Sequence, residues 1–246
     1  MTDTSPVVAA LIIGRGGSSL KNKNILPVHG IPLLQWTAAA ARRSKYVTRF
    51  YTSSDDDAIL ETAAVAGYTP IRRPPELASA TAQSTDAVLH ALDFMEAEAP
   101  VDIVIVQHAN VGTISEEIID DCIEMLIADP SLTAVVPSHE QSEYHPMRAK
   151  GVDADGIMRP FVPLDGTVSA NRQDLPVAYF FDHSIWAIRA ATARDPNGQP
   201  PWPCMGQRIK PYVTEGCLDV HSMEDLATTE AWIDAHGIPR PDFTLI

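Results

Sequence analysis

A chain of 246 residues suits one domain, or one domain with a small appendage. Its 45% hydrophobic and 20% charged residues are ordinary for a folded protein with a sizeable core. A formal net charge of −14 weighs against a nucleic-acid-binding surface and confines anion binding to places where cations and backbone N–H groups gather. The three cysteines, Cys122, Cys204 and Cys217, lack C-x-x-C spacing, so neither a disulfide framework nor a zinc site is expected, and a reducing compartment is.

The first element is the apolar run Val7 to Ile13, β-branched and continuous, as in a strand buried on both faces. It is too short to span a bilayer and has no basic residue before it, so no membrane anchor is expected and the cytoplasm is the default location. The loop Gly14 to Asn24 follows, then a short piece Ile25 to Val28 and a helix from about Pro32 to Arg43, with Leu33, Leu34, Ala38 and Ala41 on one face. Phe50 to Thr52 reads as a strand. Asp55 to Ala66 reads as a helix, its acidic first turn favoured by the dipole. Further units pair a helix over about 82–97 with the strand Ile103 to Val106, and a helix over about 115–128 with the strand Ala134 to Pro137. Ser138 to Pro176 is rich in Pro, Gly, Asp and Ser and reads as an inserted arm. Strands follow at 177–181, 184–188 and 208–213, and a helix spans about 223–236.

Strands alternating with helices predict an α/β fold, a mostly parallel sheet with helices on both faces. Ligands of such sheets bind beyond the carboxyl ends of the strands, which brings 14–24, 52–57 and 107–112 to one rim. In the first loop, Gly14, Gly16 and Gly17 let backbone N–H groups approach a phosphate chain, and Arg15, Lys21 and Lys23 supply charge. This pattern is neither G-x-G-x-x-G nor G-x-x-x-x-G-K-[ST].

Arg15-Gly16-Gly17-Ser18 with Lys23-Asn24-Ile25 resembles the R-G-G-S-K-G…K-N-I signature of the acylneuraminate cytidylyltransferases, which include CMP-sialic acid, CMP-legionaminic acid and CMP-Kdo synthetases. In order, Thr52-Ser53-Ser54-Asp55-Asp56 is similar to their S-T-D-D segment and Arg73-Pro74-Pro75-Glu76-Leu77-Ala78 to R-P-x-E-L-A. Thr81-Ala82-Gln83-Ser84 resembles T-A-S-S, and Gln107 stands at the Gln of Q-P-T-S-P. Tyr144-His145-Pro146 is similar to H-H-P, Arg172-Gln173-Asp174-Leu175-Pro176 to R-R-Q-x-L-P, and Leu218-Asp219-Val220-His221 to the D-I-D segment.

The resemblance implies a single Rossmann-like nucleotidyltransferase domain over 1–246, with a small dimerisation arm at about 138–176 and a homodimer. It implies CTP and an acidic sugar as substrates and magnesium as cofactor. Arg15 and Lys23 would bind the triphosphate, within a nucleotide set of Arg15, Gly16, Gly17, Ser18, Lys21, Lys23, Asn24, Arg73 and Ser84. Gln107, His108 and Asp182 would face the sugar, and Arg148 or Arg172 would receive its carboxylate. Arg15, Lys23 and Asp219 are the catalytic candidates. Asp219 either holds magnesium or starts the last helix; His221 is a second metal ligand, a partner behind the ligand, a base or a helix-start residue.

The departures from the pattern cluster where the sugar belongs. Q-P-T-S-P becomes Gln107-His108-Ala109-Asn110-Val111, N-G becomes Asp182-His183, and the second aspartate of D-I-D becomes His221. Lys21 or Ser19 takes the place of the signature's own loop lysine. The expected reaction joins CTP to a nonulosonic acid such as sialic or legionaminic acid. Rival readings are an octulosonate acceptor, a glycosyltransferase (which would want a D-x-D where Gln107-His108-Ala109 stands) and a nucleotide-binding homologue without turnover.

Overall fold

The computed structural model describes residues 5–17, 20–164, 166 and 168–244. In chain order the elements are β1 (Val8–Ile13), β2 (Pro27–Val28), β3 (Ile31–Pro32), α1 (Leu33–Arg43), β4 (Val47–Ser54), α2 (Asp57–Ala64), β5 (Thr69–Arg72), α3 (Ser84–Glu98), β6 (Ile103–His108), α4 (Glu116–Ala128) and β7 (Ala134–Glu140). Then come β8 (Lys150–Val152), β9 (Met158–Pro160), β10 (Tyr179–Phe181), β11 (Ile185–Arg189), β12 (Ile209–Val213) and α5 (Met223–His236).

One sheet runs β10-β7-β11-β6-β1-β4-β5, with β12 also on β7. β1 pairs parallel to both β4 and β6, and β4 parallel to β5. β12 lies parallel to β7, whereas β11 runs antiparallel to β6 and β7 and β10 antiparallel to β7. The expected α/β architecture holds, with a mixed region where the later strands return. β2–β3 and β8–β9 form separate two-stranded ribbons.

All six residues of β1 are buried because helices cover both faces. Val8, Ala10 and Ile12 face one core with Leu34 of α1, Ile59 of α2 and Ile123 of α4. Ala9, Leu11 and Ile13 face the other with Val88, Leu92 and Met95 of α3. A side chain such as Leu11, at 0% exposure, contributes about 1.5–3 kcal/mol by leaving water. α5 closes a third cluster, Leu226 and Ile233 packing with Val28, Leu33 and Trp36.

β5 is absent from the strands expected from sequence. Pro70 and Arg72 interrupt its apolar pattern, and a proline is tolerated there because β5 is the last strand of the sheet. The segment read as an arm carries the ribbon β8–β9, and β7 itself runs past Pro137 to Glu140. Among the described residues, no helix is long and apolar enough to cross a membrane.

Candidate active site

A cleft of about 460 Å³ opens beyond the carboxyl ends of β1 and β6, over the N-terminus of α3. The loop after β1 turns back across β4, Gly14 N–H donating to Ser53 O at 3.3 Å and Gly16 N–H to Asp55 Oδ1 at 3.1 Å. A Cβ at Gly14 would stand 2.9 Å from Ala109 Cβ, so the turn admits no side chain. Asn22 takes a left-handed backbone (φ 59°) to start the turn that carries Lys23 and Asn24. Asn24 is buried and its amide donates to Arg15 O at 3.2 Å, tying the two ends of the loop together.

Three cations line this part of the cleft: Arg15, Lys23 and Arg73. Arg15 donates to Ser79 O at 2.8 Å. Lys23 Nζ donates to Val220 O at 3.2 Å; burial lowers its pKa, Asp219 opposes that and Arg15 adds to it. Arg73 is 6% exposed and gives Nε to Ser53 Oγ (3.1 Å) and Nη2 to Ser53 O (2.6 Å). Burial pushes it down to about 10, Asp55 opposing and Arg15 adding, so it stays charged at neutral pH. Gln83 and Ser84 bring the positive end of the α3 dipole to the same wall.

A cluster of rings packs behind the cleft at His108. His108 lines the cleft with its ring 4.7 Å from Trp186 and 5.9 Å from His183. Burial pushes His108 down to about 3; the adjacent His183 adds, and backbone contacts at Ser184 and His183 oppose. His183, left-handed at φ 56°, meets Trp202 (5.2 Å) and Phe181 (6.4 Å), and burial lowers its pKa too.

At the mouth, His221 and Asn110 line the cleft. Asp219 stands against both: its Oδ2 is 3.0 Å from His221 Nε2, and its Oδ1 accepts from the Asn110 amide. Among the described residues no group of three or more His, Cys, Asp or Glu could hold a metal ion. Magnesium is commonly held by one or two carboxylates plus phosphate oxygens and water. Asp219 fits that pattern as a single hard oxygen donor, whereas the His221 nitrogen is a poorer match for this ion.

Of the residues singled out from sequence, the cleft unites Arg15, Lys23, Asn24, Arg73, Ser84, His108 and His221, with Asp219 behind. Gly16 shapes the loop, Gly17 and Lys21 are exposed, and Ser18 lies outside the described residues. Gln107, expected at the sugar, does not line the cleft. It is fully buried in the other core, its Nε2 donating to Thr37 O (2.6 Å) and Oγ1 (3.0 Å), its Oε1 accepting from Tyr68 Oη (2.9 Å). Asp182 turns inward as well, accepting from Ser184 N (2.9 Å), Ser184 Oγ (2.6 Å) and Thr214 Oγ1 (3.0 Å). Arg148 and Arg172 are exposed on the arm and do not line the cleft. The sequence reading passed over Asn110 and the pairing of His183 with Trp202. The one signal for Asn110 was its place just past the end of β6.

The chain matches a family model described as Cytidylyltransferase over residues 9–154. It is 35% identical over 98 residues to an N-acylneuraminate cytidylyltransferase of Oncorhynchus mykiss, covering 39% of this chain and 22% of that protein. It is 30% identical over 124 residues to a pseudaminic acid cytidylyltransferase of Campylobacter jejuni, covering 49% and 53%. The match thus spans about a fifth of the fish relative's length and about half of the bacterial one's. In fold the chain is similar to CMP:2-keto-3-deoxy-manno-octonic acid synthetase complexed with CTP, at TM-score 0.67, 16% identity, 94% of this chain and 99% of that one.

Proposed function

The chain belongs to the cytidylyltransferase family, and from that premise we propose that it joins CTP to a 2-keto-3-deoxy sugar acid, forming a CMP-sugar and pyrophosphate. One observation carries this reading: a chain of net charge −14 gathers Arg15, Lys23, Arg73 and a helix N-terminus around one cleft. That arrangement suits a polyanion such as a nucleoside triphosphate.

In the proposed reaction the anomeric hydroxyl of the sugar attacks the α-phosphorus in line. A new P–O bond forms as the bond to pyrophosphate breaks. Such transfers need positioning and charge neutralisation more than covalent help. Arg15 and Lys23 neutralise the triphosphate, Arg73 and Asn24 fix the nucleotide, and Ser84 with the α3 N–H groups meets its phosphates. Asp219 would hold magnesium together with the phosphates, and the bound ion would neutralise phosphate charge and acidify the attacking hydroxyl. With Nε2–H given to Asp219, His221 keeps an Nδ1 lone pair to accept the hydroxyl proton.

The acceptor assigned here is a nonulosonic acid of the sialic or legionaminic type. The uncharged ring of His108 at the cleft, backed by His183 and Trp202, supports it, because ring faces suit the acyl and methyl groups of such sugars. An octulosonate is the second reading, favoured by the likeness to the octonic acid synthetase. The sugar's carboxylate would be met by Arg148 or Arg172 from a second copy. That needs a homodimer, and the arm exposes Tyr144, Val152, Met158 and Phe161 as an apolar surface for one. All three cysteines are free thiols, in keeping with a cytoplasmic setting.

The test is pyrophosphate release with magnesium and CTP against sialic, legionaminic, pseudaminic and octulosonic acids. Release with a nonulosonic acid establishes the reaction and its acceptor. Release with the octulosonate alone keeps the reaction and replaces the acceptor. No release with any of them, CTP still bound, leaves a nucleotide-binding protein without this activity.

A further inference from the structure

Asn110 does more than line the cleft. Its side-chain amide donates to Asp219 Oδ1 and also lies 3.3 Å from Val220 O. Its own carbonyl accepts from Val220 N–H at 3.1 Å, and its neighbour Val111 forms a backbone bridge to Asp219. The 218–221 segment is therefore stitched to the loop after β6 on both sides of the Asp219 side chain. The Val220 carbonyl is also the acceptor of Lys23 Nζ at 3.2 Å. One carbonyl oxygen thus joins the loop that carries the triphosphate cation to the segment that carries the carboxylate.

A carboxylate on a short irregular segment has two free torsions and no regular element to fix them. Removing a partner that orients a metal ligand typically costs about 10–100-fold in metal affinity. Asn110 meets Asp219 on the oxygen opposite His221, so the two partners together fix the orientation of the carboxylate. We propose that Asn110 is the positioning residue of Asp219: it holds the carboxylate for magnesium and, through Val220 O, keeps that carboxylate in register with Lys23. This rests on the reading of Asp219 as the magnesium ligand.

Thr113 supplies the internal control. Its Oγ1 accepts from Leu218 N–H at 3.0 Å, so it holds the same segment without touching the carboxylate. The experiment is Mn²⁺ titration followed by electron paramagnetic resonance in the presence of CTP, on the wild type, Asn110→Ala, Thr113→Val and Asp219→Ala, with kcat, KM and melting temperature beside it. Asn110→Ala is expected to weaken Mn²⁺ binding about 10–100-fold and to lower kcat more than it raises the acceptor KM. Thr113→Val is expected to lower the melting temperature while leaving Mn²⁺ affinity within about twofold, as a purely structural tie does. If Asn110→Ala does not fold, Asn110→Ser shortens the same donor and takes its place, with the same direction expected. Unchanged Mn²⁺ affinity in the Asn110 variant, with affinity lost in Asp219→Ala, overturns the positioning role alone. Affinity retained in Asp219→Ala removes the metal assignment, and the positioning role with it.

Discussion

Neighbouring residues at the end of β6 have opposite fates, and strand parity decides them. Ile103, Ile105 and Gln107 face the core under α1 and α4, while Val104, Val106 and His108 face α3, where the cleft opens. The resemblance implied a sugar contact at Gln107, which stands at the Gln of Q-P-T-S-P. Strand parity puts it instead on the face of Ile103 and Ile105, away from His108. Gln107→Ala is expected to destabilise by about 1–3 kcal/mol, since Thr37 and Tyr68 lose buried partners, while the acceptor KM stays unchanged. Urea unfolding and steady-state kinetics check the two halves of that statement. His108 gives a pH test. Its folded pKa of about 3 lies below its unfolded value, so between the two the unfolded chain binds a proton that the folded one does not. Its contribution is present above the unfolded pKa and lost as pH falls, by up to about 1.4 kcal/mol per unit. Urea midpoints at pH 6.5, 5.5 and 4.5 should fall less steeply in His108→Gln than in the wild type. Parallel slopes would show that His108 titrates alike in both states.

Among the elements, those with a strong period were legible and those set by tertiary context were not. β1 declared itself because burial on both faces demands an unbroken apolar run. β5 did not, because its place at the sheet edge lets Pro70 stand where a central strand would refuse it. α5 combines a stability role with a site role. Ser222 accepts from Asp225 N–H at 3.3 Å, and Asp225 Oδ2 accepts from both Ser222 N and His221 N at 2.8 Å. The cap therefore fixes the residue that meets Asp219 as well as the helix start. Ser222→Ala is expected to cost about 1 kcal/mol, or roughly 2–4 °C in melting temperature. Asp225→Ala, which removes the acceptor of His221 N–H, should also lower kcat. A lower melting temperature with unchanged kcat would separate the helix from the chemistry.

For the whole molecule, the α/β order, the rim of strand ends and the basic loop could all be read from the chain, because periodicity and local chemistry encode them. A role for the arm came from the resemblance alone, since within one chain its apolar residues face water: Tyr144 is 73% exposed, Phe161 71% and Met158 66%. If a second copy covers that surface, Met158→Glu with Phe161→Glu shifts sedimentation from dimer to monomer and leaves the cleft folded. Turnover should then fall through the acceptor KM, as Arg148 and Arg172 would no longer reach a neighbouring site. A dimer that persists in the double variant places the interface elsewhere.

The cationic lining of the cleft comes from residues up to Ala87, whereas the rings packed behind His108, namely Phe181, His183, Trp186 and Trp202, fall within one later stretch. Substitutions in that stretch therefore reshape the support of His108 without touching the cations, and an engineer can vary the two sets of residues separately.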